Sequence, residues 1–152
     1  MCIVSLAIGL VACTYREDDI SDEPRASQII GAKYKVIGDI TAFGVRQNSR
    51  AAVEYIVLKA PPGFDGPEVG FTKTVPLGTE ITVLKVRKAN RFLENPYILM
   101  VRLDGTNLDP ALPIKIELFG NNGGDSRISL NPEFYERIAS TGTNRTEFTR
   151  ER

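Results

Sequence analysis

Apolar and polar residues alternate singly along much of this chain, and a period of two marks half-buried strands. Tyr34 and Val36 alternate with Lys33 and Lys35, and after a break at Gly38-Asp39 the stretch Ile40-Thr41-Ala42-Phe43 reads as extended again. Residues 46–50 form a polar loop. Residues 52–59 carry apolar side chains on both faces, with Val53, Tyr55 and Val57 on one and Ile56 and Leu58 on the other. Such a strand belongs at the centre of a sheet or has its back covered. In residues 79–88, Ile81 and Val83 share one face and Leu84 and Val86 the other, so the phase flips at Val83-Leu84 and predicts a β-bulge or sharp bend. Tyr97, Leu99, Val101 and Leu103 form the next strand, which ends in an Asp104-Gly105 turn. Leu112, Ile114, Ile116 and Leu118 then alternate with Pro113, Lys115, Glu117 and Phe119.

Breaks in the pattern have their own chemistry. Residues 60–67 hold three prolines and two glycines, which preset φ, favour turns and remove backbone donors, so regular structure is excluded there. Gly120-Asn121-Asn122-Gly123-Gly124 offers positive φ for a hairpin turn, with residues 127–130 pairing back. Asn131-Pro132-Glu133 then combines an N-cap residue, a proline at the first helical position and an acid in the first turn. With Phe134 and Ile138 one turn apart, this predicts a two-turn helix over residues 132–139 that plugs one end of the β core. The expected fold is all-β, a small and strongly bent barrel with one short C-terminal helix. Residues 75–84, with Leu77-Gly78-Thr79 leading to Ile81 and Val83, resemble bacterial SH3-type domains, in which such a stretch turns out of a loop into a bent strand. The resemblance implies an SH3-like barrel in which residues 60–71 occupy the long preceding loop.

The N-terminal region follows a different pattern. Residues 3–12 carry no charge and only Ser5 among them is plainly polar, and a run of ten residues is too short to span a bilayer core, which needs roughly 20. They are read as the hydrophobic region of a secretory signal or as a buried strand or helix, and the acidic, proline-containing residues 16–25 that follow favour the signal. Leu10-Val11-Ala12-Cys13 resembles the bacterial lipobox, although Met1-Cys2 lacks the Lys or Arg with which such signals open. The resemblance implies cleavage before Cys13, its lipidation and a membrane anchor. Thr14, where Asp would favour inner-membrane retention, implies the periplasmic face of the outer membrane. The expected organisation is a signal peptide (1–12), a lipidated N-terminus and flexible tether (13–31), a β-barrel domain (32–140) and a disordered tail (141–152). A flexible stretch of that kind has an r.m.s. reach of roughly 20–25 Å.

Composition narrows the chemistry. The 152 residues contain no histidine, and both cysteines, Cys2 and Cys13, lie in the signal region. Ser-His-Asp and Cys-His catalysis, imidazole-ligated zinc and thiolate sites are thereby excluded from the domain. Nineteen basic and nineteen acidic residues balance, which argues against a nucleic-acid partner. Asp65 and Glu68 share one loop but have no partner motif for catalysis. No cofactor or metal is expected, and the chain is read as non-enzymatic.

Two surfaces are candidates for binding. Phe64, beside Asp65 in the proline-stiffened loop, is either an exposed aromatic anchor or a lid folded back on the barrel. Lys85, Arg87, Lys88 and Arg91 form the basic cluster, read either as a contact for an acidic partner, phospholipid or anionic cell-wall polymer, or as a solvated edge. The function implied is that of an envelope lipoprotein whose β domain binds a protein or the cell wall. The alternative is an immunity or inhibitor lipoprotein that neutralises a toxin acting in the periplasm.

Overall fold

A computed structural model describes residues 15–90, 95–126 and 128–139. The expected signal peptide, Cys13, Arg91 and the expected tail lie outside the described residues.

The chain is mainly β. Its strands are β1 (Glu17–Asp19), β2 (Lys33–Val36), β3 (Ile40–Val45), β4 (Tyr55–Lys59), β5 (Val69–Val75), β6 (Glu80–Ala89), β7 (Tyr97–Asp104), β8 (Ile114–Glu117) and β9 (Tyr135–Ile138). A single turn of helix, α1 (Pro24–Ser27), lies between β1 and β2. All nine strands form one mixed sheet in the order β5-β3-β4-β8-β7-β6-β2-β9, with β1 added on β6. Pairing is antiparallel except between β4 and β8, where Ile56 stands beside Ile114 and Val57 beside Lys115. β6 is the longest strand and holds three neighbours: β7 along one edge, and β2 and then β1 along the other.

The register of β6 against β7 shifts between Val83 and Lys85, where the change of phase had predicted a bulge. The face assignment differs from the expectation. The extra residue turns Leu84 outward, 45% exposed, and so restores Val86 to the inner face with Ile81 and Val83. That inner face is the core, where Val36, Ile40, Ile56, Leu58, Leu99 and Ile116 are all fully buried. Expecting β4 to be covered on its back is also right: Val57, pointing away from this core, is buried as well.

Four expectations are corrected. First, the sheet does not close into a barrel, because β5 and β9 end it and each has one strand neighbour among the described residues. Secondly, the C-terminal helix is not formed. Asn131 does nucleate a turn, its Oδ1 accepting from Glu133 N (3.0 Å) and its carbonyl from Phe134 N and Tyr135 N. The chain then extends as β9, because the open edge of β2 offers a complete backbone ladder from Lys33–Ile138 to Val36–Tyr135. Two isolated helical turns cannot match that ladder, since short helices are marginal without packing. Thirdly, the glycine-rich segment forms a 3-10 turn at Gly120–Asn122, and among the described residues its return pairing is the isolated bridge Gly123–Leu130.

The fourth correction concerns the tether. Residues 17–30 pack on the domain, and Ile20, Ala26 and Ile29 are buried in the core. Ile20 N donates to Val86 O, while Gly31 N donates to Val83 O and Val83 N to Ala32 O. β1 and β2 thus run in line along β6, and α1 is the excursion that passes its bulge. Two acids of the expected tether reach β6: Glu17 pairs with Arg87 and Asp19 with Lys85. Like β1, β5 had no counterpart in the sequence reading, and it begins at Val69, inside residues 60–71, which were expected to be loop. Its Phe71 ring lies across Gly44 of β3, where a Cβ would stand 2.3 Å from the ring, so glycine is required to seat this edge strand.

Candidate functional site

Pleating sends alternate residues of the central strands to the face opposite the core, where aromatic and charged side chains gather. Across this outer face Phe43 (β3) stands beside Val57 (β4), Val57 beside Lys115 (β8), Lys115 beside Met100 (β7) and Met100 beside Lys85 (β6). Four inter-strand steps separate Phe43 from Lys85, about 19 Å at the usual strand spacing. Of the sequence-derived candidates, Phe64 with Asp65 and Lys85 with Arg87 therefore occupy two separate places along this face.

The first place is aromatic. Phe64 folds back onto Phe43, with ring centroids 4.6 Å apart and planes tilted by 33°. Of the two readings of Phe64, the lid is the one adopted, here over the outer face of the sheet. Gly63 makes this possible: its φ is +72°, and a Cβ there would approach the Phe43 ring to 2.7 Å. Lys59 Nζ lies 5.5 Å from the Phe64 ring centroid and 4.5 Å from that of Phe119, and 3.7 Å from Glu117 Oε2. Asp65 is exposed, its Oδ1 accepting from Gly66 N (2.8 Å).

Beneath the aromatic loop, Asn122 is buried and fully engaged. Its Oδ1 accepts from Ala60 N (2.9 Å), and its Nδ2 donates to Leu58 O and Glu117 O. It thereby ties off the parallel β4–β8 pair where regular pairing ends. Asn121 Nδ2 reaches Pro61 O (2.7 Å), so the 3-10 turn also supports the proline loop.

The second place is centred on Glu17. Its carboxylate accepts from Lys115 Nζ (2.8 Å), Arg87 (3.2 Å) and Tyr15 Oη (2.6 Å), and its side chain is 9% exposed. Burial pushes the Glu17 carboxyl up, but the Lys115 ammonium, the Tyr15 hydroxyl and the Arg87 guanidinium together hold it below the ordinary value of 4.5. Lys115 Nζ also lies 4.5 Å over the Tyr55 ring. Lys85 pairs with Asp19 at 3.5 Å. Two of the cationic candidates, Lys85 and Arg87, are therefore already paired to acids of β1. Lys88 is exposed and points to the other side of β6 from Arg87.

Beside this network a groove of ≈ 740 Å³ runs between β6–β7 and the loop of residues 105–113. The loop is shaped by Asp109, whose Oδ1 accepts from Ala111 N and whose carbonyl accepts from Leu112 N. Leu84, Met100, Leu103, Leu108 and Leu112 supply the apolar lining, and Lys85, Arg87 and Arg102 the cationic groups. Among the described residues no group of three or more His, Cys, Asp or Glu is placed to hold a metal ion.

Sequence reasoning missed Glu17, Lys59, Lys115 and Asn122. Lys59, Lys115 and Glu117 had a signal: each is a charged residue at an outward position of a strand with apolar neighbours. Glu17 had none, since it sits in an acidic run. No protein-family model, curated protein or solved structure matches this chain.

Proposed function

We propose that the chain is a lipid-anchored cell-envelope protein whose β domain is a non-enzymatic binding module. The observation that carries this reading is Leu10-Val11-Ala12-Cys13 at the end of an uncharged run. The groove beside β6 and β7, with its apolar lining and cationic groups, supports the binding part of the proposal, its partner being a protein segment or cell-wall polymer. The likeness of residues 75–84 to bacterial SH3-type domains belongs to the same proposal at the level of that corner alone, where Pro76, Leu77 and Gly78 turn the chain from β5 into the bulged β6. Thr14 extends it to the periplasmic face of the outer membrane.

Metabolic labelling with a clickable fatty acid is the test of the anchor. Label is expected on the wild-type chain and is lost in Cys13→Ser; an unlabelled wild-type chain overturns the reading. Recovery from detergent-solubilised envelope, with the lipidated protein as bait, tests the module. A stoichiometric protein, or wall fragments, whose capture is lost in Leu84→Asp supports binding at the groove. Capture that survives this change removes the groove from the proposal.

A further inference from the structure

Chain length between the anchor and the first strand decides which end of the domain meets the membrane. Arg16 is pinned to the end of β6: its N–H donates to Asn90 Oδ1 (2.9 Å), and its carbonyl accepts from Asn90 N (3.0 Å). Cys13 is three residues away, a span of at most about 11 Å even when fully extended. β6 continues for ten residues to its other end. At about 3.3 Å per residue this carries the Pro76-Leu77-Gly78 turn some 30 Å from Asn90. A leash this short cannot let the domain tumble freely over the bilayer.

We propose that the Asn90 end of the sheet rests on the lipid headgroups, with Tyr15, Arg16, Lys88 and the Gly120–Asn122 turn facing them, and that the groove is presented away from the membrane. This rests on the lipid-anchor reading. The chemistry of that end fits a headgroup layer. Tyr15 is 45% exposed, the Arg16 side chain 73% exposed and Lys88 exposed, an aromatic and two cations of the kind that settle at a bilayer interface. Asp18 neutralises Arg16 in part, so the short leash and not attraction to anionic lipid holds this face down. The 3-10 turn joins the same end, because Leu118 N donates to Tyr97 O and Ala89 N to Pro96 O. Arg102, Leu103 and Thr106 place much of the groove toward the opposite end of β6 and β7.

The chain has no tryptophan, so one introduced indole reports its own position. The acylated full-length protein is reconstituted in phosphatidylcholine vesicles that carry a headgroup spin-labelled lipid, with indole at Lys88→Trp, at Asp125→Trp (exposed, and lining one surface hollow with Asn95 and Gly120 at the Asn90 end) or at Leu77→Trp. Lys88→Trp and Asp125→Trp are expected to be quenched several-fold more strongly than Leu77→Trp. Inserting ten Gly/Ser residues after Thr14 gives a leash with an added r.m.s. reach of about 17 Å and is expected to narrow that difference. Equal quenching at both ends, or stronger quenching at Leu77→Trp, in protein that carries the fatty-acid label overturns the orientation and leaves the anchor standing. A wild-type chain without that label overturns both.

Discussion

The two faces of the central strands are built on different principles. Toward the core, β4, β8 and β7 present Ile56, Leu58, Ile116 and Leu99, all fully buried. Their stabilisation scales with apolar area removed from water and depends little on which aliphatic residue supplies it. On the outer face the same strands present Tyr55, Lys59, Lys115 and Glu117, and here each contact depends on a named partner. Lys115 needs Glu17 from the far N-terminal strand, and Lys59 needs Phe119 and Glu117. One face tolerates exchange within a residue class. The other is specified pair by pair, and its partners come from segments far apart in sequence.

Substitutions ordered by expected effect sharpen that contrast. Leu99→Ala opens a cavity in the inner face and should cost about 2–5 kcal/mol in chemical denaturation, with Leu99→Met costing under about 1.5 kcal/mol. A near-equal loss in both would show that the core is specified by shape and not by area. Asn122→Ala leaves Ala60 N, Leu58 O and Glu117 O without their side-chain partner and should cost about 1–3 kcal/mol.

Glu17→Gln tests the outer network. It retains an acceptor but removes the charge, so a loss of about 1 kcal/mol at neutral pH is expected, between the values for exposed and buried pairs. The pH dependence is more specific. Because the folded carboxyl titrates below its ordinary 4.5, the Glu17 contribution is fully present above that value. It is lost as pH falls from about there through the lowered folded value. The acid limb of wild-type stability should therefore be steeper than that of Glu17→Gln, and coincident limbs would remove Glu17 from the network. Leu84→Ser, at the outward bulge position, should change stability by no more than about 0.5 kcal/mol. A larger loss would mean that the bulge depends on an apolar residue there and not on the extra residue itself.

The inner face was legible because burial imposes a period. Ile114 and Ile116 alternate with Lys115 and Glu117, Val101 and Leu103 with Arg102 and Asp104, and the phase change at Val83-Leu84 marks the bulge without any knowledge of its neighbours. The C-terminal segment was misread because Asn131-Pro132-Glu133 carries a strong local helix signal, while the open edge of β2, which captures Tyr135–Ile138, is separated from it by nearly the whole domain. The acidic run around Glu17 was taken as a tether for the same reason: its cationic partners, Arg87 and Lys115, are 70 and 98 positions away. Of the residues gathered on the outer face, Lys85, Arg87 and Phe64 could be named in advance. Their state could not, since pairing with β1 and stacking on Phe43 depend on which strands become neighbours.

What the chain by itself determined is the β class, the bulge position in β6, the inward residues of β7 and β8, and the absence of imidazole and of any cysteine beyond residue 13. Local stereochemistry and hydrophobic alternation act over a few residues and leave their mark within any short window. Only the tertiary structure decided that β4 and β8 run parallel, that residues 17–30 belong to the domain, that the last segment is a strand and that the sheet stays open. Each of those outcomes is a competition for hydrogen-bond edges and charge partners between distant segments, and the free energy of such a contact exists only once both partners have arrived.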